Sequence, residues 1–199
     1  MVIAIDGPAG SGKSTLSRAL AERLGIDRLD TGAMYRSVAW AVLRDGVDPV
    51  DQEAVAALAR NLDIMVGGTV VADGIDITEA IRGPEVSATV SAVAANPDVR
   101  AVMVTRQRSW VDARGGGVVE GRDIGSVVLP DADLKLYLTA SPEVRAARRS
   151  EEGAEALARR DRLDSTRAVS PLEVPPGARV VDTGALEVEA IVEQVLAWL

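Results

Sequence analysis

Residues 7–15 combine three glycines, one lysine and three hydroxyl side chains in an order that can bind phosphate groups. The segment follows the apolar run Val2–Ile5 and reads Gly7, Pro8, Ala9, Gly10, Ser11, Gly12, Lys13, Ser14 and Thr15. It matches the P-loop pattern G-x-x-x-x-G-K-[ST]. Its glycines let successive N–H groups turn toward phosphate oxygens, and the following helix adds its positive end. We therefore predict that Lys13 binds nucleotide phosphates and that the Ser14 hydroxyl ligates Mg²⁺.

Three further clusters join arginine to acidic or hydroxyl residues. Asp30–Arg36 and Glu120–Gly125 each follow a predicted strand, so both would lie at the carboxyl edge of a parallel sheet, where ligands bind. Residues 145–167 contain seven arginines, which suit the several oxygens of a phosphoryl group. Structural alternatives stay open for all three: a helix cap with a solvated arginine, a charged turn, and a solvated helix with ion pairs. Ser91 and Arg100, taken by themselves, do not indicate a functional site.

The composition restricts the chemistry that is open to this chain. Its 199 residues include no Cys and no His, which removes disulfides, the usual general base and the commonest zinc ligand. A net charge of −8 argues against a nucleic-acid polymer as partner. No apolar run approaches the roughly 18 residues of a membrane helix, and no signal-peptide pattern is present. We therefore expect a cytoplasmic protein that does not associate with membranes.

The missing histidines favour a phosphate group as the acceptor in phosphoryl transfer. An alcohol acceptor usually needs a base, whereas a phosphate is largely dianionic near neutrality because its second pKa is about 6. The many arginines agree with such a reaction, since they can spread charge over transferring oxygens. An aspartate could still act as a base for an alcohol.

Strands that alternate with helices along the chain predict a parallel sheet covered on both faces. The predicted strands of this sheet are 2–5, 28–30, 118–120, 134–138 and 179–181. The predicted helices are 14–24, 34–43, 51–62, 84–95, 98–112 and 186–199, with another beginning at Ser141. Gly67-Gly68 and Asp73-Gly74 are hairpin turn signals, so 64–66, 69–73 and 76–78 predict a small inserted antiparallel sheet.

Taken together, the motifs resemble those of the bacterial cytidylate kinase family. The resemblance runs nearly end to end and rests on five segments: Ile5–Thr15, Asp30–Arg36, Glu120–Gly125, Asp164–Leu172 and Val180–Thr183. The combination is specific, because related nucleoside monophosphate kinases share the P-loop without the next three segments.

The resemblance implies an α/β fold and a reaction. The reaction is phosphoryl transfer from MgATP to CMP or dCMP, giving ADP and the diphosphate. The fold is a P-loop kinase core with a five-stranded parallel sheet, a monophosphate-binding region with a small antiparallel insertion, and a short helical lid. Over the single domain 1–199 we expect the core at 1–33, 113–144 and 168–199, the monophosphate-binding region at 34–112 with its insertion near 62–80, and the lid at 145–167.

The same resemblance assigns roles to particular residues. ATP would be held by residues 7–15, with Ser14 on Mg²⁺. The catalytic residues would be Lys13, Arg122, Arg148 and Arg160. The residues that bind the acceptor would be Thr31, Arg36, Ser91, Arg100, Arg122, Asp123, Arg160, Asp164 and Arg167. Within this set, Arg36, Arg122 and Arg167 would lie at the acceptor phosphate, Ser91, Arg100 and Asp123 at the cytosine, and Asp164 with Arg160 at the sugar.

Some residues depart from the family pattern, and other functions stay open. Only nine residues separate Arg149 from Arg159, which makes a short lid, and Glu120 stands where Asp is frequent. A kinase for UMP or for a metabolite hydroxyl is the main alternative, and an inactive binding module is another. A GTP-dependent switch needs an Asn/Thr-Lys-x-Asp segment, which the two lysines, Lys13 and Lys135, do not provide. The expected partners are CMP or dCMP and ATP, bound by a monomer.

Overall fold

A computed structural model describes residues 1–149, 154–166 and 169–199, with the side chains of 154, 156, 157 and 160 left out of the description. The backbone contacts divide the chain into two compact units. The first unit comprises residues 1–29 and 110–199, and the second comprises residues 30–109. The predicted division into core, monophosphate-binding region and lid stays a prediction.

The first unit is built on a five-stranded parallel sheet. Its strands are β1 (Val2–Asp6), β2 (Arg28–Asp30), β6 (Gly117–Glu120), β7 (Leu134–Thr139) and β8 (Arg179–Asp182), in the order β2-β6-β1-β7-β8. Strand β1 pairs in parallel with both β6 and β7, which places its alternating apolar side chains at the centre of the sheet. Ile3, Ile5, Leu136 and Leu138 are fully buried there, as expected for a parallel sheet covered on both faces.

Helices on the sheet complete the core of the first unit. They are α1 (Lys13–Leu24), α6 (Pro142–Arg148), α7 (Ala154–Ser165) and α8 (Val188–Leu196). Leu16 and Leu20 of α1 pack with Ile191 and Val195 of α8 in one apolar cluster with the sheet. Gly25 ends α1 in the left-handed conformation, with φ of 64°, directly after the predicted helix end at residue 24.

The second unit is helical with a small sheet. Its elements are α2 (Thr31–Arg44), α3 (Gln52–Asn61), α4 (Pro84–Ala95) and most of α5 (Pro97–Arg114), with the strands β3 (Ile64–Val66), β4 (Val70–Ala72) and β5 (Ile75–Asp76). Strand β4 pairs antiparallel with β3 and β5, which confirms the predicted insertion. Val38 and Val42 of α2 and Val93 of α4 are fully buried in this unit.

Several element boundaries differ from the predicted ones, and two of the differences have clear local causes. Helix α2 begins at Thr31 rather than at residue 34, because the Asp30 carboxylate caps it by accepting the N–H of Ala33 at 3.1 Å. Helix α5 begins at Pro97, where the Asn96 side chain accepts the N–H of Asp98 at 3.0 Å. The last helix is shorter than 186–199 at both ends.

Two short helical segments were absent from the prediction. A 3-10 turn covers Ala80–Arg82, and a π-helical turn covers Ile124–Val128 directly after β6. In the π-helical turn, the N–H of Leu129 donates to the carbonyl oxygen of Ile124, five residues earlier, at 2.7 Å. Such turns are frequent at functional sites, and this one lies in the predicted Glu120–Gly125 cluster.

The predicted fold class is confirmed by the five-stranded parallel sheet, its flanking helices and the separate three-stranded sheet. Among the described residues, no helix combines the length and the apolar character needed to cross a membrane.

We expect Leu136→Ala to lower the free energy of unfolding by about 3 kcal/mol, because it opens a cavity in the centre of β7. Val180→Ala, on the edge strand β8, is the control. Val180 is 57% exposed, so we expect a change within about 0.5 kcal/mol. Urea unfolding of both variants measures the difference. Equal losses would contradict the placement of the core.

Candidate active site

The P-loop follows β1 with a backbone path that only glycine can take at two points. A Cβ at Gly7, with φ of 147°, would lie 2.3 Å from the carbonyl oxygen of Leu138. A Cβ at Gly10, with φ of 74°, would lie 2.8 Å from the carbonyl oxygen of Arg145. The loop thus packs against the end of β7 and the middle of α6, which fixes where its N–H groups point.

Lys13, the first residue of α1, lies over this loop. Its ammonium donates to the carbonyl oxygens of Gly7 and Pro8, both at 2.8 Å, and the residue is 8% exposed. The side chain therefore folds back along the P-loop, with its charge beside the backbone that would surround nucleotide phosphates. A flexible four-carbon stem lets a lysine exchange such carbonyl contacts for phosphate oxygens.

Ser14, the predicted metal ligand, contacts a buried carboxylate at the end of β6. The Ser14 hydroxyl donates to Oε2 of Glu120 at 2.9 Å. The Ser17 hydroxyl, one helical turn later, donates to Oε1 of Glu120 at 2.9 Å. Arg28, on β2, donates to the same Oε1 at 2.7 Å. Two hydroxyls and one guanidinium therefore stabilise the charge of Glu120 away from water.

The oxygens of Ser14 and Glu120 fit a hard cation such as Mg²⁺, which binds through one or two protein oxygens together with phosphates and waters. The described part of the chain contains no cluster of three or more Asp, Glu, His or Cys that could hold a metal by itself.

Asp6, the last residue of β1, joins the P-loop strand to the segment after β6. Its fully buried carboxylate accepts the N–H groups of Ile124 and Gly125, both at 2.8 Å. Burial raises the pKa of Asp6 to about 6, in spite of the opposing effect of these two backbone donors. The contact fixes the Glu120–Gly125 cluster beside the P-loop.

Arg122 and Asp164, both predicted to bind the acceptor, form an ion pair within the first unit. The Nε of Arg122 donates to Oδ2 of Asp164 at 3.0 Å, and the two side chains are 17% and 9% exposed. Asp123, beside Arg122, is buried in the same turn. Three residues that were predicted to bind the acceptor therefore lie close together near the end of β1. They are Arg122, Asp123 and Asp164, the last of which comes from α7.

Two arginines of α6, in the segment predicted to form the lid, contact the P-loop and the residue after β8. Arg145 donates to the carbonyl oxygen of Ala9 at 3.2 Å and pairs with Asp161 of α7. Asp161 in turn accepts the N–H of Ala9 at 3.4 Å. Arg148, predicted to be catalytic, donates to the hydroxyl of Thr183 at 2.9 Å and to its carbonyl oxygen at 2.7 Å.

Of the other predicted lid residues, Arg167 lies outside the described part of the chain, as does the side chain of Arg160.

In the second unit, Arg36 of α2 is held by backbone and hydroxyl oxygens. It donates to the carbonyl oxygen of Ile81 at 3.1 Å and to the hydroxyl of Ser87 at 2.9 Å. These contacts anchor the guanidinium to the 3-10 turn and to α4. Thr31, at the start of the same helix, is 3% exposed.

Arg100 of α5 is buried in the second unit, at 3% exposure. Its guanidinium carbon lies 5.6 Å from the ring centroid of Tyr35, and it donates to the carbonyl oxygen of Ala94 at 3.4 Å. A buried arginine over an aromatic ring is held in place well enough to recognise a polar ligand edge. Ser91, on α4, is half-buried.

Comparison with known sequences identifies the family. The family model described as cytidylate kinase matches residues 3–199, nearly the whole chain. The chain belongs to the cytidylate kinase family. It is 48% identical over 210 residues to the cytidylate kinase of Streptomyces avermitilis, covering 98% of this chain and 91% of that relative. It is 46% identical over 213 residues to the cytidylate kinase of Corynebacterium efficiens, covering 98% and 93%.

A third relative is a longer protein. The bifunctional pantoate ligase/cytidylate kinase of a Synechococcus species is 48% identical over 211 residues. The matched part is 96% of this chain but only 43% of that protein.

Solved structures of small kinases share the fold at low identity. The shikimate kinase of Acinetobacter baumannii has a TM-score of 0.51 and 15% identity, covering 98% of this chain and 90% of its own. A gluconokinase from Sinorhizobium meliloti has a TM-score of 0.50 and 17% identity, covering 98% and 89%. These structures support the P-loop kinase fold. The family membership makes the chain a nucleoside monophosphate kinase, as the motifs predicted, and disfavours the switch.

The structure adds residues to the site that the sequence analysis did not assign. Glu120 belonged to a candidate cluster but had no role of its own, yet it contacts Ser14. Asp161, within the arginine-rich segment 145–167, was given no role, yet it contacts Ala9. The position of Glu120 at the end of a predicted core strand was the available signal. No sequence pattern pointed to Arg28, because its partner Glu120 lies 92 residues away in the chain.

We expect the stability of the wild type, relative to Asp6→Asn, to fall as the pH rises from about 4 to about 7. Between the ordinary pKa of 3.8 and the folded value of about 6, the folded state binds more protons than the unfolded state. The stabilisation is therefore complete below pH 3.8 and lost above about pH 6. Between these two limits, the free energy of unfolding of the wild type, relative to that of Asp6→Asn, falls by about 3 kcal/mol.

Urea unfolding of both proteins at four pH values measures this effect. Asp76→Asn is the control. The side chain and the N–H of Thr78 lower the pKa of this exposed carboxyl. The stability of the wild type relative to Asp76→Asn should therefore rise weakly with pH, opposite to the effect at Asp6. A pH-independent difference for Asp6→Asn would contradict the raised pKa.

Proposed function

We propose that this chain transfers the γ-phosphoryl group of MgATP to CMP and dCMP. The observation that carries the proposal is the match of nearly the whole chain to the cytidylate kinase family. It is supported by a P-loop whose lysine, serine and glycines are all present in the expected geometry. The chain spans less than half of the bifunctional relative, so the proposal concerns the kinase reaction alone.

On the donor side, the backbone N–H groups of the P-loop and the N-terminus of α1 would bind the ATP phosphates. Lys13 would leave the carbonyl oxygens of Gly7 and Pro8 to reach the β- and γ-phosphates. Ser14 and, at its side, Glu120 would hold Mg²⁺. When bound, Mg²⁺ neutralises charge on the phosphate oxygens and helps to orient them.

On the acceptor side, no general base is required. The phosphate of CMP is largely dianionic near neutral pH, so it can attack the γ-phosphorus of ATP without losing a proton to the protein. The protein would mainly position the two phosphates and stabilise their charge. Arg122 is suited to this role because it lies two residues beyond the end of β6, in the turn that the Asp6 carboxylate holds in place. Its ion pair with Asp164 keeps the guanidinium oriented before an anionic ligand arrives. Asp164 would also accept a sugar hydroxyl of the acceptor.

The base would be selected by polar side chains that cytosine satisfies and uracil does not. Asp123, Ser91 and Arg100 are the residues predicted for this role. Of these, Asp123 and Arg100 are almost fully buried, at 4% and 3% exposure. Buried polar groups left without a partner cost binding energy, which gives strong discrimination between an amino group and a carbonyl oxygen. Thr31 and Arg36 would assist at the acceptor phosphate.

The lid would close over the transferring group and exclude water. Arg148 and Arg160 are the predicted lid arginines, with Arg167 predicted at the acceptor phosphate. The contact of Arg148 with Thr183, and that of Arg145 with Ala9, support a lid that lies close to the P-loop. Exclusion of water prevents loss of the phosphoryl group by hydrolysis. We also propose that the active form is a monomer.

The test is ADP release from MgATP in a coupled assay, with CMP, dCMP, UMP, AMP and GMP offered separately. We expect strong turnover with CMP and dCMP and at least about a hundredfold lower kcat/KM with UMP. Turnover with UMP alone, or with none of the five, would refute the proposal. Gel filtration of the active protein tests the monomer.

We expect Lys13→Met to lower kcat by about a hundredfold or more, because it removes a positive charge that acts on the transferring phosphoryl group. The only other lysine supplies the control. Lys135 donates to the carbonyl oxygen of Pro176 at 3.2 Å, and Lys135→Met should keep kcat within about twofold. Steady-state kinetics with CMP measures both. Equal losses would argue against a specific role for Lys13.

A further inference from the structure

Arg28 is a charged residue beside the metal-binding residues that the proposed reaction does not use. It lies on β2, the strand next to β6 in the sheet, and its side chain is 20% exposed. Its Nη1 donates to Oε1 of Glu120 at 2.7 Å and approaches the Ser17 hydroxyl at 3.4 Å. The Glu120 side chain is only 3% exposed, so solvent screens this pair weakly.

The two oxygens of Glu120 have different surroundings. Oε1 accepts from Ser17 and Arg28, whereas Oε2 accepts from the Ser14 hydroxyl. Arg28 therefore fixes the orientation of the carboxylate with Oε2 toward Ser14. Its positive charge also offsets the negative charge of Glu120 for any cation that approaches Oε2. The place beside Ser14 consequently has the geometry of a metal site with little net attraction for a metal.

We propose that Arg28 is a positioning residue that prevents Mg²⁺ from binding at Ser14 and Glu120 until the nucleotide supplies its phosphate charge. The inference rests on the proposed function, in which Ser14 and Glu120 hold the metal of MgATP. It agrees with the absence, in the described part of the chain, of a carboxylate cluster that could hold a metal without phosphates. Arg28 thereby couples the binding of Mg²⁺ to the binding of the nucleotide.

The test is the thermal stability of the nucleotide-free protein with and without 10 mM MgCl₂, which is about tenfold above the dissociation constant of roughly 1 mM of a weak carboxylate site. We expect Mg²⁺ to shift the Tm of the wild type by less than about 1 °C. In Arg28→Gln the charge is lost but a donor to Glu120 remains, so we expect a rise of about 3 °C or more with Mg²⁺. Arg28→Lys keeps the charge and should behave as the wild type.

Two controls separate the local effect from a general change in charge. Arg18→Gln removes an exposed arginine from α1 and should show no response to Mg²⁺. The double variant Arg28→Gln/Glu120→Gln removes the carboxylate and should lose the response of the single variant. An equal Tm shift in wild type and Arg28→Gln, or no shift in either, would overturn the proposal.

A second measurement uses the wild type alone, in case Arg28→Gln does not fold. Mn²⁺ stands in for Mg²⁺, and electron paramagnetic resonance reports the free ion during titration with and without a non-hydrolysable ATP analogue. We expect Mn²⁺ to bind the protein at least about a hundredfold more tightly when the analogue is present than when it is absent. The binding with protein and analogue together should also be tighter than the binding of Mn²⁺ to the analogue alone in solution. Comparable binding without it would overturn the proposal. Neither measurement uses CMP, so failure of the CMP assay would be distinguishable from failure here.

Discussion

The parallel pairing of β1 with its two neighbours is the constraint on which the candidate site depends. Ile5 is in register with Glu120 of β6, and Asp6 is in register with Tyr137 of β7. Because these strands run in the same direction, the P-loop, the Glu120–Gly125 turn and the start of α6 all leave the sheet at one edge. The close approach of Gly7 to the end of β7 is a direct result.

Two of the carboxylates buried at that edge, Asp6 and Glu120, are stabilised in different ways. Asp6 accepts two backbone N–H groups, but burial is the dominant effect and raises its pKa to about 6. Glu120 is instead surrounded by two hydroxyls and the guanidinium of Arg28. The first arrangement joins two loops of the backbone, and the second keeps an ionised oxygen next to Ser14. Asp6 therefore serves the structure, whereas Glu120 has the position required by the proposed metal binding.

The sequence predicted the parts of this molecule that depend on local patterns. The P-loop, the antiparallel insertion and the α6 cap at Ser141 follow from residues close together in the chain. Contacts between distant segments could not be predicted in this way. The ion pair of Arg28 with Glu120 joins residues 92 apart, and the π-helical turn after β6 depends on Asp6, over 100 residues earlier. The family resemblance assigned residues to roles without giving these supporting contacts.

The arginines around the P-loop show why such supporting contacts matter for phosphoryl transfer. Arg122, Arg145 and Arg148 each already contact a carboxylate or a main-chain oxygen of the first unit. An arginine held in this way loses less side-chain entropy when a phosphate arrives than a freely rotating one would. It also has a competing partner, which limits how tightly any anion can bind. Tight binding of substrate alone does not raise kcat, so arginines that exchange partners only for the transferring phosphoryl group favour catalysis.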